Sequence, residues 1–168
     1  PDPEKLDYTV KACGPDTLLI LGRPNNPDGS IIQEQDLIRL AKNNPEAYLL
    51  IDEAFRDFMD DASLIQAGLP NILVTRSLTK FWSVPGLRIG LALSPRPLAP
   101  RIRAQLADWP LNSFAERVGA RALCDKAFIQ ETRNACMELK NKLERALRRI
   151  PGIRVQADSK ANFLLLHL

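Results

Sequence analysis

Short apolar runs, each bounded by polar or turn-forming residues, set the frame of this chain. Thr17-Leu18-Leu19-Ile20-Leu21, Tyr48-Leu49-Leu50-Ile51 and Ile72-Leu73-Val74-Thr75 show little polar alternation. That is the pattern of strands buried on both faces of a parallel sheet. A fourth run, Arg88 to Leu93, follows the third across a loop too short for a helical crossover, so it is expected as an antiparallel neighbour. Leu37, Leu40 and Ala41 recur at helical spacing. Ser30 and Gln33 stand at capping-box spacing, which predicts a helix over Gln33 to Asn43, and Pro45 stops it. Residues 53–70 are mixed, with a short helix expected around Leu64. Pro1 to Asp16 is polar, and its pattern allows a short strand at Tyr8-Thr9-Val10.

After Leu93 the period changes. A helix is expected over Pro100 to Ala107, with the proline in its first turn. Trp109-Pro110 breaks the chain, and Asn112 or Ser113 caps a further helix that reaches Leu123. Phe128, Thr132, Ala135, Leu139, Leu143, Leu147 and Ile150 then recur every three or four residues. They predict an amphipathic helix roughly 35 Å long at about 1.5 Å per residue, long enough to bridge two lobes. Pro151-Gly152 ends it. Ile153-Arg154-Val155 and Asn162 to Leu166 read as strands of a second sheet. The chain opens without methionine and stops within that pattern, so it is expected to be an excerpt of a longer protein.

Strand, helix, strand, short helix, strand is the order of an α/β fold with a mostly parallel sheet. Right-handed crossovers put the C-terminal ends of the first three strands on one edge, where open α/β sheets bind ligands. The first strand runs into the turn formers Gly22-Arg23-Pro24-Asn25-Asn26-Pro27-Asp28-Gly29. The second ends at Asp52-Glu53, and the third runs into Ser77-Leu78-Thr79-Lys80. Asn26, Asp52 and Lys80 are therefore expected around one crevice.

Composition narrows the function classes. Hydrophobic residues make up 45% and charged residues 26%, the balance of a soluble globular protein. The net charge of +3 is small and dispersed, which argues against nucleic acid as a partner. No apolar run approaches the roughly 18–20 residues that span a membrane. Cys13, Cys124 and Cys136 have no metal or redox spacing and read as free thiols of a reducing, cytoplasmic compartment. The single His167 cannot build a metal site, so no metal is expected.

Three motifs at the three strand ends carry a resemblance. Arg23-Pro24-Asn25-Asn26-Pro27-Asp28-Gly29 resembles an Asn-Pro-Asn-Asn-Pro-Thr-Gly turn, and Asp52-Glu53-Ala54-Phe55 resembles Asp-Glu-Ala-Tyr. Ser77-Leu78-Thr79-Lys80, with Arg88 eight residues on, resembles a lysine motif and its phosphate arginine. Together they resemble the fold-type I pyridoxal-5′-phosphate enzymes of the aminotransferase class I/II superfamily. The likeness covers nearly the whole chain, which corresponds to the middle of a family member about twice as long. It implies that residues 1–124 are part of the cofactor-binding large domain. Residues 125–150 then form a linking helix, and 151–168 begin a C-terminal small domain.

The resemblance also implies roles. Lys80 carries the cofactor as a Schiff base and moves protons once freed. Asp52 keeps the pyridine nitrogen protonated by charge pairing. Asn26 donates to the phenolic oxygen and lowers the pKa of the Schiff base. Phe55 stands at the cofactor where relatives often have a tyrosine donor, so Asn26 carries that contact alone. Ser77, Thr79 and Arg88 hold the cofactor phosphate, the arginine by its planar fork. Asp28 replaces the usual threonine and is acceptable only if it points away from that phosphate. Asn112 either faces substrate or simply caps its helix, and Trp109 is expected to pack. Family members are homodimers, and a phosphorylated amino acid is the expected substrate.

Within the superfamily, the run from Ser77 to Arg88, Asp52 to Phe58 and Trp109-Pro110-Leu111-Asn112 resemble threonine-phosphate decarboxylase, a cobalamin-pathway enzyme. The alternative branch is histidinol-phosphate aminotransferase. Two further classes stand beside these. A cofactor-free α/β binding module is argued against by Lys80, Asp52, Asn26 and Arg88 together. A nucleotide-binding Rossmann domain would need Gly-x-Gly-x-x-Gly after the first strand, and Gly22 to Gly29 lacks it.

Overall fold

Parallel pairing of three apolar strands builds the centre of the molecule. A computed structural model describes residues 2–156 and 158–168. β1 (Leu18–Gly22), β2 (Tyr48–Asp52) and β3 (Ile72–Ser77) run parallel, and β4 (Gly90–Leu93) pairs antiparallel with β3. The sheet order is β1-β2-β3-β4. This is the expected mostly parallel α/β sheet with the expected antiparallel fourth strand.

One face of that sheet is closed. Leu49, Ile51, Ile72 and Val74 are buried, and Leu37, Leu40 and Ala41 of α2 (Glu34–Asn43) pack over them with Ile32 and Leu64. The other face is open among the described residues. Leu18 is 55% and Ile20 61% exposed, against the expectation that β1 is buried on both faces. A run of apolar residues shows no period, so it cannot reveal which of its two faces is covered.

The N-terminal segment is a helix, α1 (Pro3–Cys13), where a short strand at Tyr8–Val10 was allowed. Asp2 caps it by accepting from Glu4 N at 3.0 Å, and Pro3 occupies the first turn. Leu6 and Val10, one helical turn apart, face the core and leave Tyr8 76% exposed. α2 starts one residue later than expected. Its N-cap, Gln33, makes no side-chain cap bond. The capping box is not formed, because the Ser30 hydroxyl is held by Asp28 instead.

A second core holds the segment after β3. α3 (Leu78–Phe81) buries Leu78 and Phe81, which cluster with Trp82, Ile89 and Ala115 of α5 (Ser113–Cys124). Trp82 Nε1 donates to Ala122 O at 3.1 Å. Helix α5 lies so close that a Cβ on Gly119 would come 2.3 Å from Ile89 Cδ1. Asn112 caps α5, and the helix preceding it, α4 (Ala99–Arg103), is shorter than Pro100 to Ala107. Trp109 is 92% exposed, so the packing expected of it is not met among the described residues.

The long helix exists as α6 (Lys126–Leu147), but its docking face differs from the expected stripe. Leu139 and Leu143 are 64% and 53% exposed. The partly covered positions include Ile129, Thr132, Arg133, Cys136 and Lys140, one face at helical spacing. Polar reach replaces apolar burial there: Arg133 donates to Asp57 O at 2.8 Å and pairs with Asp60 at 2.7 Å. The second sheet is β5 (Arg154–Val155) against β6 (Leu166–His167), antiparallel and shorter than the apolar runs suggested. The His167 ring lies 3.2 Å from Gln156 Oε1.

One buried amide fastens the loop ahead of the sheet. Asn71 Nδ2 lies within 2.9–3.1 Å of the carbonyls of Ala41, Asn44 and Ala47. Buried carbonyls left without a donor cost roughly 1–3 kcal/mol. Replacing Asn71 by Ala should lower unfolding stability by about 2 kcal/mol. Urea denaturation of the variant checks this, and an unchanged midpoint would refute it.

Candidate active site

Strand register brings the chemistry together. Gly22 of β1 lies beside Asp52 of β2, and Asp52 lies beside Thr75 of β3. The turns bearing Asn26 and Lys80 leave from the same edge. Side chains alternate along a strand, so Asp52, Thr75 and Ser77 share the open face of the sheet. Thr75 Oγ1 donates to Asp52 Oδ1 at 3.3 Å, and Ala54 N donates to the same oxygen at 3.0 Å. These bonds fix the carboxylate while it stays exposed.

The next carboxylate has the opposite fate. Glu53 is fully buried and accepts from Ser63 Oγ at 2.7 Å and from Leu64 N at 2.8 Å. Arg76, whose side chain alternates away from Thr75 and Ser77, pairs with buried Asp57 on that side. Adjacent carboxylates at a strand end must point to opposite faces, so the pattern itself could have separated the site residue from the structural one.

The lysine turn is knit by hydroxyls. Ser77 Oγ accepts from Thr79 N at 3.3 Å, and the two hydroxyls lie 2.7 Å apart. Thr79 is buried, while Lys80 between it and buried Phe81 is exposed. Leu78, Phe81 and Trp82 therefore anchor the backbone that presents the amine. Ser83 and Arg88 both hold left-handed backbone, with φ of 53° and 50°. Such conformations cost roughly 1–3 kcal/mol each and persist only where surrounding structure holds them. Arg88 is exposed, and its Nη1 donates to Pro85 O at 3.1 Å.

Asp28 knits the turn after β1. Its Oδ1 accepts from Asn25 Nδ2 at 2.9 Å, Ser30 N at 3.0 Å and Ser30 Oγ at 2.9 Å. That carboxylate oxygen is thus engaged within the turn. Asn26 is exposed and is not tied into this set. The turn is also docked on a distant segment: Lys160 N donates to Gly29 O at 2.8 Å. Gly29 has φ +70°, and a Cβ there would lie 2.0 Å from Ser159 Oγ. Only glycine fits. The same segment supplies Phe163, which meets Phe55 edge to face with centroids 5.0 Å apart. Phe55 thus forms a wall with Phe163. No local signal in the sequence pointed to Ser159, Lys160 or Phe163, which lie more than a hundred residues from their partners.

Asn112 accepts from Ala115 N at 2.8 Å and serves as a helix cap. Lys80, Asp52, Asn26 and Arg88 are all exposed, so the strand ends form an open shelf. Cavities among the described residues elsewhere include one of about 250 Å³ between α1 and α2 and one of about 350 Å³ beside Trp82 and Phe128. Among the described residues, no three His, Cys, Asp or Glu side chains gather as a metal site. No helix described is long and apolar enough to cross a membrane.

An amine, a fixed carboxylate, a pair of hydroxyls and an arginine thus follow the strands at one edge of the sheet. A family model for aminotransferases of class I and II matches residues 1–168. The chain belongs to this family. Pyridoxal 5′-phosphate is the cofactor that goes with it, and the exposed Lys80, Asp52 and Arg88 at the strand ends are residue types that could hold such a group. A Caldanaerobacter subterraneus protein provisionally named threonine-phosphate decarboxylase is 38% identical over 161 residues, covering 89% of this chain and 42% of that protein. The histidinol-phosphate aminotransferase of the same organism is 32% identical over 149 residues, covering 88% and 42%. The histidinol-phosphate aminotransferase structure from Clostridium acetobutylicum superimposes with a TM-score of 0.89 at 28% identity, over 99% of this chain and 51% of that one. The chain spans less than half the length of these two curated relatives.

The Asp28 turn has a pH signature. Burial pushes its carboxyl up, but the bonds from Asn25 and Ser30 outweigh this and hold it below the ordinary value of 3.8. A lowered folded-state pKa contributes stability above the unfolded value and loses it as pH falls through the folded one. Between about pH 5 and about pH 2.5, the wild type should therefore lose more melting temperature than Asp28→Asn, which has no carboxyl to titrate there. Parallel melting curves across that range would contradict the assignment.

Proposed function

We propose that this chain is the cofactor-holding part of a lyase that decarboxylates L-threonine O-3-phosphate to aminopropanol phosphate, a step in cobalamin biosynthesis. The observation that carries the reading is the lysine turn at the end of β3, anchored beneath by Leu78, Phe81 and Trp82. The choice of branch draws on the residues from Ser77 to Arg88 and on 38% against 32% identity to the two Caldanaerobacter relatives.

In this reading the residues divide the work. Lys80 would hold the cofactor aldehyde and would move protons at the substrate Cα. Asp52, held by Thr75 and Ala54 N, keeps a proton on the ring nitrogen. Asn26 donates to the phenolic oxygen. Ser77, Thr79 and Arg88 bind the phosphate dianion, and the arginine's planar fork suits it. Phe55 and Phe163 exclude water from one side. Asn112 borders the substrate while its Oδ1 caps α5. When bound, the cofactor supplies the electron sink for the pair left at Cα after a bond breaks. Residues that orient the substrate would decide whether its carboxylate or its Cα hydrogen is lost.

The same reading includes a cytoplasmic homodimer. Residues 1–124 belong to its large domain, 125–150 form the link and 151–168 open the small domain. A second reading, transamination of histidinol phosphate, draws on the 0.89 TM-score to the Clostridium structure.

The whole protein should release CO2 from L-threonine O-3-phosphate and should not transaminate histidinol phosphate with 2-oxoglutarate. Transamination without CO2 release would select the second reading. Lys80→Ala should abolish turnover and the borohydride-reducible cofactor absorbance together. Phe55→Tyr adds a second donor at the phenolic oxygen and should lower the pH at which the lysine-linked chromophore changes colour. An unchanged titration would remove Phe55 from the cofactor.

A further inference from the structure

The Asn26 turn takes its position from a segment far along the chain, and one helix ammonium gathers that segment. Lys140 of α6 donates to Ser159 O at 2.6 Å and to Ala161 O at 2.9 Å. Between these two carbonyls sits Lys160, whose N–H donates to Gly29 O. Ser159 closes the segment on itself: its Oγ donates to Phe163 O at 2.6 Å and accepts from Ala161 N at 3.3 Å. Gly29 N in turn donates to Asn25 O at 2.7 Å, and Asn25 N to Ser30 O at 2.8 Å, so the turn is closed by its own backbone bonds.

We propose that Lys140 is a positioning residue that, through Ser159 and Lys160, sets where the Asn25–Gly29 turn holds the Asn26 amide against the cofactor. This rests on the reading of Asn26 given under Proposed function. Three observations make the link directional. The Gly29 approach leaves no room for even a Cβ, so the turn cannot settle closer or slide without displacing Ser159. The apolar stripe of α6 at Leu139 and Leu143 is exposed, so packing of that stripe does not hold the helix on this segment. Burial lowers the Lys140 pKa, with Lys160 adding to it, which places the ammonium in a partly desolvated spot where carbonyl contacts matter. Phe163 rides on the same segment, so the wall it forms with Phe55 moves with it.

The test is a pH titration of cofactor absorbance in the whole protein, with Lys140→Met, Lys140→Gln and Lys140→Arg, alongside hydrogen exchange at Asn25 and Gly29. An Asn26 donor at the phenolic oxygen lowers the pKa of the lysine-linked nitrogen, so loosening it raises that pKa. Lys140→Met should raise it by about one unit, and exchange at Asn25 and Gly29 should speed by about tenfold. Lys140→Arg, which keeps a cationic donor, should restore values close to wild type. A residue that merely supports the fold would change melting temperature and leave the titration in place. If Lys140→Met does not fold, Lys140→Gln, which keeps one donor group, carries the same comparison. A wild-type titration in a folded, cofactor-loaded Met or Gln variant overturns the proposal. Absence of any lysine-linked chromophore in the wild type overturns the cofactor reading instead. The exchange rates then decide whether Lys140 docks the turn, and unchanged rates overturn that too.

Discussion

Backbone hydrogen bonding holds β1, β2 and β3 in parallel register, setting Gly22, Asp52 and Thr75 side by side. A slip of one residue would turn Asp52 under the sheet and bring Glu53 onto the shelf. The register is strongly determined because Leu49, Ile51, Ile72 and Val74 must all face α2. Burial of one face therefore decides which carboxylate of the Asp-Glu pair stays exposed at the strand end. The other supports the loop that follows, by accepting from Ser63 and Leu64.

The site is assembled from two cores and one latch. The first core aligns the strand ends. The second, around Phe81 and Trp82, fixes the short helix that carries Lys80 and absorbs the left-handed backbone at Ser83 and Arg88. The latch is different in kind. The turn with Asn26 docks on residues 159–161 through one backbone hydrogen bond and a glycine contact, and a helix lysine holds those residues by their carbonyls. Polar contacts of this sort depend on geometry more than on area. They suit a place where the position of one amide matters.

Much of this was legible in the chain. Apolar runs of strand length, punctuated by Gly, Pro and Asn clusters, predicted the sheet, its mostly parallel sense and the antiparallel β4. The three motifs sit at the ends of those strands, with Asn26, Asp52, Ser77, Lys80 and Arg88 in or just after them. The misreadings share a cause. At Tyr8–Val10 the apolar residues were too few to show a period, and the Asp2-Pro3 cap was the better signal. In β1 the continuous run concealed which face was open. On α6 the regular stripe from Leu139 to Leu143 marked an amphipathic helix correctly, but the face that docks is the one carrying Arg133 and Lys140.

By itself the sequence determined the local conformations, the order of the elements and the chemical groups at each strand end. Those depend on periodicity, turn chemistry and residue type, all of which are local. Tertiary structure alone decided that Phe55 meets Phe163. It also decided that Gly29 must be glycine because of Ser159. These are contacts between residues whose separation along the chain carries no pattern. Only a folded backbone, which fixes distance and direction at once, can bring them within bonding range.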